Sequence, residues 1–344
     1  MKNITLYIGI VFFLCNCKKE IGPQNVQEYT KGTGSLIVLN EGNFGFGNAS
    51  VSIYNPDTKE VFNNQFKAVN GFGIGDVLQS VNRYQDRFYF VVNNSGKVVI
   101  TDTNLVYQSQ ITGFNSPRYI EFANGKGFVT DLKQKAIYVV DLVSNQITHQ
   151  IQTQGWTEQI ILHQNKLIVL DRGDYLTNSS PNFIYIINPI TLQKEDSIQT
   201  GINPNSMVLD KNDRLWVLTS GETGIESSKI TQYDINTLSS IKTFIFSSSS
   251  DSPSRLVINK TKDKLYFLNG SVYEQSVSNV ILGPALIFQK STENFYGLYI
   301  CKYTNEIYVT NAKNYSQTGE VIRMNSLGAV IDNITTGINP QNLF

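Results

Sequence analysis

The sequence predicts an all-β chain folded as a seven-bladed β-propeller of four-stranded antiparallel blades, its ring closed by pairing of the N- and C-terminal strands. Three observations carry this. First, one six-residue phrase recurs seven times: SLIVLN (35–40), FYFVVN (88–93), KGFVTD (126–131), KLIVLD (166–171), RLWVLT (214–219), KLYFLN (264–269) and EIYVTN (306–311). The copies lie about 40 to 50 residues apart, the period of a four-stranded blade. Second, no segment after the first residues shows an apolar period of 3.6, so no helix is expected there. Third, the closing TGINPQNLF (336–344) repeats TGINPNSMVL (200–209), which feeds an inner strand.

Taken in order, residues 1–16 read as a lipoprotein signal peptide. Lys2 supplies a positive start, and the apolar run from Ile4 to Cys15 is too short to span a bilayer but fits a signal-peptide core. LCNCKKE, with Leu14 three residues before Cys17, resembles a lipobox and makes Cys17 the expected lipidation site. A cleaved signal with an incidental cysteine is the alternative. Residues 17–34 lack apolar periodicity and read as a flexible tether, leaving 35–344 as the propeller. Acylation of Cys17 would leave Cys301 as the one thiol, so no disulfide framework is expected.

Within the propeller each phrase is the second strand of a blade, counted outward from the axis. A third strand follows, as in AIYVVD (136–141), FIYIIN (183–188) and ITQYDI (230–235). Turns rich in Asn, Asp and Pro come next, such as NPDT (55–58) and NPIT (188–191), and turn chemistry favours these residues. An outer strand such as ITHQIQT (147–153) completes the blade, and a loop then leads to the next inner strand, such as YIEFA (119–123) or SMVLD (206–210). The sixth blade, through SVYEQSVSNVILGPALIFQ (271–289), is the least regular. The last strand, ending at Phe344, would join the blade opened at Ser35, and that closure removes two free sheet edges.

Composition excludes one class of partner. Charged residues are 16% of the chain, against about 25% in ordinary globular chains. The formal net charge is +0 and no basic run exists, so nucleic acid is not an expected ligand. Asn, Gln, Ser and Thr carry the polarity.

Tyr308-Val309-Thr310-Asn311 spells the signature of the YVTN (YncE-like) propeller repeats. LNEGNFGFGNASVSIYNP (39–56) is similar to the first blade of the lipid-anchored surface propellers of Bacteroidota, in particular the BtuG-type cobalamin-binding proteins. The resemblance implies a corrinoid (cobalamin) as transported ligand and a TonB-dependent outer-membrane transporter as partner. It also implies a lipid-anchored place on the outer membrane, at the cell surface, and no covalently bound cofactor.

Because strands alternate in direction, loops after each phrase and loops entering each inner strand must emerge on one face. Long connections cluster there, and binding residues concentrate on loops held by a rigid scaffold. Asn40, Asn93, Asp131, Asp171, Thr219, Asn269 and Asn311 close the phrases and are expected to ring the channel mouth, either shaping loops or lining it. Aromatics of the long loops are Phe44, Phe46, Phe72, Trp156, Tyr175, Phe295, Tyr296 and Tyr315; half of these are expected to plug gaps between blades. Phe44 and Phe46 have little chain nearby to bury them. With Glu41 beside them and Asn43 and Asn48 as amide partners, they suit a large, flat ligand fringed by hydrogen-bonding groups, which describes a corrinoid. Asn205 lies in the entering loop GINPNS (201–206). Arg118, Arg172 and Arg255 either hold the nucleotide-loop phosphate of a cobalamin or pair with Asp131, Asp174 or Asp251.

Catalysis is not expected. The two histidines, His149 and His163, fall on an outer strand and at the short-turn end of an inner strand, so neither a triad nor a metal site forms at the mouth. GFGIGD (71–76) precedes no helix and makes no phosphate cradle. Asp210, Asn212 and Asp213 mimic half a calcium loop and read as a hairpin turn. Glu41, Glu158 and Glu222 offer carboxylates whose spacing nothing fixes. The alternatives are a propeller for a glycan, haem or protein, and a propeller hydrolase or lyase.

Overall fold

Every recurring phrase forms a strand in which nearly all residues are buried, as a short continuous apolar run covered on both faces requires. The computed structural model describes residues 35–174, 182–248 and 250–344. The expected signal peptide, Cys17, the tether and Tyr175 lie outside them.

The first blade opens with β1 (Leu36–Asn40), β2 (Ser50–Tyr54) and β3 (Val61–Phe62), and helix α1 (Gln65–Asn70) follows. The second comprises β4 (Leu78–Tyr84), β5 (Arg87–Val92), β6 (Lys97–Asp102) and β7 (Tyr107–Thr112). The third is β8 (Pro117–Ala123), β9 (Lys126–Asp131), β10 (Ala136–Asp141) and β11 (Gln146–Gln152). The fourth is β12 (Thr157–His163), β13 (Lys166–Asp171), β14 (Phe183–Ile187) and β15 (Lys194–Gln199). The fifth is β16 (Pro204–Leu209), β17 (Leu215–Thr219), β18 (Lys229–Asp234) and β19 (Ser239–Ile245). The sixth is β20 (Ser254–Ile258), β21 (Lys264–Asn269), β22 (Ser271–Ser276) and β23 (Ala285–Phe288). The seventh is β24 (Phe295–Ile300), β25 (Ile307–Asn311), β26 (Thr318–Met324) and β27 (Val330–Ile338), and β28 (Pro340–Leu343) returns to the start.

These strands make seven four-stranded antiparallel sheets, and the first reads β28-β1-β2-β3. The ring therefore closes as the sequence predicts. Val38 pairs with Leu343 and Leu39 with Asn342. Ile37 and Phe344 exchange two backbone hydrogen bonds of 2.9 Å. Apolar clusters fill the wedges between neighbouring blades. Tyr89 and Val91 of the second meet Ile120 and Phe122 of the third, and Trp216 and Phe244 of the fifth meet Leu265 and Phe267 of the sixth.

One end of the ring is built of short turns. In six blades the third strand leads to the fourth through an Asn or Asp whose side-chain oxygen accepts a backbone N–H two residues on: Asn55, Asp102, Asp141, Asn188, Asp234 and Asn325. Asp210 also serves a turn, as expected: its carboxylate accepts the Asn212 and Arg214 N–H groups and the Trp216 indole N–H. The sixth blade keeps four strands, with Gly270 alone joining β21 to β22 at a φ of 71°. Helix α1 corrects the expectation of no helix. It spans six residues and buries only Phe66, too little to register as a 3.6-residue period. None of the helices among the described residues is long and apolar enough to cross a membrane.

Candidate functional site

At the long-loop end every inner strand carries a register shift in the same place. The breaks fall between Leu78 and Ser80, Pro117 and Ile120, Thr157 and Ile160, Pro204 and Ser206, Ser254 and Val257, Phe295 and Leu298, and opposite Leu39/Asn40 in the closing strand. A bulge adds one residue to one strand and re-aims its side chain. The second residue of each inner strand falls there: Gln79, Arg118, Glu158, Asn205, Arg255, Tyr296 and Gln341. Because inner strands surround the axis, these seven positions ring it at the channel mouth. Gln341 Nε2 donates to the Gln79 carbonyl, and Arg118 donates from Nη1 to Gln79 Oε1 and from Nε to Glu158 Oε2 at 2.9 Å. Arg255 Nε donates to the Tyr296 carbonyl at 2.8 Å.

Two carboxylates organise the charge. Glu158 is 4% exposed and takes Arg118 on one oxygen and Arg172 Nη1, at 3.3 Å, on the other. Burial alone would raise its pKa, but the Arg118 and Arg172 guanidiniums outweigh that and hold it below the usual range. Glu41, the first residue after β1, accepts a 2.8 Å hydrogen bond from the Tyr296 hydroxyl. Here burial prevails, and its pKa is raised despite Tyr296, Arg255 and Arg118.

The loop 41–49 is braced from both sides. Asn43 Nδ2 donates to the Tyr315 carbonyl at 2.6 Å, and Asp76 accepts the Gly45 N–H at 2.8 Å. Asn48 Oδ1 accepts the Asn43 N–H at 2.7 Å, and its amide donates back to Asn43 Oδ1. The side chains of Asn43 and Asn48 are therefore engaged in shaping the loop. Phe44 and Phe46 remain 71% and 77% exposed. Tyr315 packs edge-on to Tyr296 with ring centroids 5.6 Å apart, which joins this loop to the mouth. Trp156 sits in the entering loop of β12, its backbone bonded to Gly173 and Arg172. Phe72 packs on Phe66 and Tyr107, and Phe295 on Phe288, so these two plug gaps between elements.

The phrase-closing residues stand one strand further out; most pin loops, and Asn40 and Thr219 tie to the neighbouring strand. Asn40 donates to Ser52 Oγ, and Asn93 to Ser116 Oγ, both at 2.9 Å. Asp131 accepts the Asn115 and Ser116 N–H groups, Asp171 those of Gly155 and Gly173, and Asn311 that of Asn294. Asn269 likewise accepts the Ser252 N–H, and Thr219 donates to the Lys229 carbonyl. All except Asn269 are buried. The expected pairings of the arginines also change: Asp174 binds Lys135, Asp251 binds Asn269, and Arg118 and Arg172 share Glu158. Asn205 ties Ser220 to the Pro253 carbonyl.

Of the mouth ring, the sequence pattern singled out Arg118, Asn205 and Arg255 as ligand candidates and missed the equivalence of all seven. The bulge registers that reveal it are backbone facts. His163 closes β12 at the end opposite Glu158, about 17 Å away for five residues of strand. Among the described residues no cluster of His, Cys, Asp and Glu is arranged to hold a metal.

Fold and mouth together define a seven-bladed β-propeller with a charge-paired polar ring at one end of its axis and aromatic loops beside it. The chain belongs to the DUF5074 family, a domain of unknown function whose pattern matches residues 33–338. No curated protein matches it. Among solved structures it resembles a quinoprotein alcohol dehydrogenase-like protein of Bacteroides thetaiotaomicron, with 16% identity, a TM-score of 0.70, and coverage of 90% of this chain and 77% of that one. It also resembles a periplasmic gluconolactonase of Pseudomonas aeruginosa, with 13% identity, a TM-score of 0.66, and coverage of 90% and 98%. At such identities the likeness shows the fold alone.

Proposed function

We propose that this protein is a binding propeller that takes a corrinoid on its long-loop face and passes it to a TonB-dependent outer-membrane transporter, while a lipid on Cys17 holds it at the outer membrane surface. One observation carries the reading: Phe44 and Phe46 are presented to solvent by a loop held in shape by hydrogen bonds of Asn43, Asn48 and the Gly45 N–H. An exposed aromatic pair on a braced loop gains by covering a flat apolar surface, and its ordering cost has been met before the ligand arrives. The polar ring beside it supplies the hydrogen bonds that amide fringes of a corrin need.

The test is calorimetric titration of the protein with cyanocobalamin, repeated on the Phe44→Ala/Phe46→Ala double variant. Expected is saturable binding that weakens at least tenfold in the variant, about 1.4 kcal/mol, with an unchanged melting temperature because both rings are exposed. A flat titration of the unaltered protein overturns the reading, and a glycan, haem or protein captured instead would identify the other cargo class.

A second reading, hydrolysis of a lactone or glycoside, draws on Glu41. Its carboxyl has a raised pKa, is hydrogen-bonded to Tyr296 and faces Arg118 and Arg255, and one similar fold is a gluconolactonase. Turnover lost in Glu41→Gln would favour it.

A further inference from the structure

We propose that Arg255 is an oxyanion-binding residue, set to take a carboxylate or a singly charged phosphate of the ligand at the axial mouth. The inference deepens the binding reading above, and depends on a corrinoid only for the source of the anion. It starts from the unequal engagement of the three arginines. Arg118 and Arg172 both contact Glu158. Arg255 has no carboxylate within salt-bridge distance among the described residues; its hydrogen-bond acceptor there is the Tyr296 carbonyl, reached through Nε. A guanidinium has five N–H donors, and this contact uses one. The fork of terminal nitrogens that matches an oxyanion two-by-two is left without acceptors.

The side chain is also held in place. Its guanidinium lies over the Tyr296 ring, 5.2 Å from the centroid, and that ring is fixed by Glu41 and Tyr315. The Tyr296 ring and the backbone acceptor at Nε hold the guanidinium and leave its terminal nitrogens for a ligand. The backbone is set as well. Arg255 has a φ of 58°, in the left-handed region, whereas the other six bulge residues are not among those with positive φ. Such a conformation is costly for a residue with a Cβ and persists where surrounding structure imposes it.

Glu41 is the counterweight. It shares Tyr296 with Arg255 and repels an incoming anion, so removing its charge should have the opposite effect to removing Arg255. Two experiments separate the sources of the anion. In the first, inorganic phosphate is titrated into the protein while the arginine Nε–H resonances are followed. Expected is a saturable shift of the Arg255 signal, severalfold tighter in Glu41→Gln. In Arg255→Asn, where that signal is gone, calorimetric titration of phosphate should lose its saturation without a change in melting temperature, since Asn tolerates the left-handed region. In the second, cyanocobalamin is compared with dicyanocobinamide, which lacks the phosphodiester. Expected is at least a tenfold preference for the former, falling towards unity in Arg255→Asn. If the asparagine variant unfolds, the Glu41→Gln arm still decides.

A saturable Arg255 shift with no corrinoid binding would retain the oxyanion site and reject the corrinoid as its source. An Arg255-dependent corrinoid preference without phosphate saturation would retain the site with a phosphodiester as its anion. An unmoved Arg255 signal together with no Arg255-dependent preference overturns the proposal, whichever corrinoids bind.

Discussion

Glu41 and Glu158 share one mouth and respond to acid in opposite senses. Glu158 has a folded-state pKa below its ordinary 4.5. Its contribution to stability is present above that value and is lost as pH falls through the depressed one. Glu41 has a raised pKa, so the folded chain favours its protonated form, and stability is lost as pH rises from 4.5 through the raised value. Thermal melts across pH test both. Glu158→Gln should melt lower than the unaltered protein at neutral pH, with the gap closing in acid. Glu41→Gln should melt higher at neutral pH and equal it in acid. Glu158→Ala, which strands two arginines in a buried site, should cost about 3–5 kcal/mol. The sequence exposes little of this scale. Gln, Arg, Glu, Asn, Arg, Tyr and Gln at the bulges share no single chemistry, so a position repeated seven times leaves no consensus letter. The phrase-closing Asn and Asp residues do repeat, because pinning a loop demands the same group each time, and that regularity drew attention one strand too far out.

At the scale of strands and turns the sequence is far more informative. Buried second strands must be apolar and the turns must carry Asx oxygens, and both requirements write themselves into the repeat. What escapes is an element too short to build a period, as α1 is, or one whose reason lies across a seam. Gly297 is such a case. A Cβ there would collide with the carbonyl oxygen of Gln341, so β24 and β28 approach as they do only because that position is bare. Gly297→Ala is expected to destabilise the protein by about 1–3 kcal/mol through overpacking, and to weaken protection of the β1–β28 amides in hydrogen exchange. A loss of stability with those amides still protected would place its effect elsewhere.

For the whole molecule, closure is the cooperative link. Deleting Pro340–Phe344 removes the buried Leu343, the paired backbone bonds to β1 and the Gln341 contact to Gln79. Burial of one leucine and a few net hydrogen bonds suggest a loss of about 3 kcal/mol or more. The opened ring also exposes the inner edge of β1, which can pair with another chain. Denaturant melts and size-exclusion chromatography should show lower stability and larger species.

The direction of those two closing strands has a consequence for which end of the ring the chain enters and leaves. β1 runs towards the long-loop end and β28 runs away from it. Ser35 therefore enters, and Phe344 leaves, through the floor of the ring, where the Asx turns lie. Both handles of the polypeptide are on the underside. The chain ahead of Ser35 is therefore joined to the ring at the end opposite the charged opening, and the mouth is left clear of both strand ends, like a bowl whose rim carries no handle.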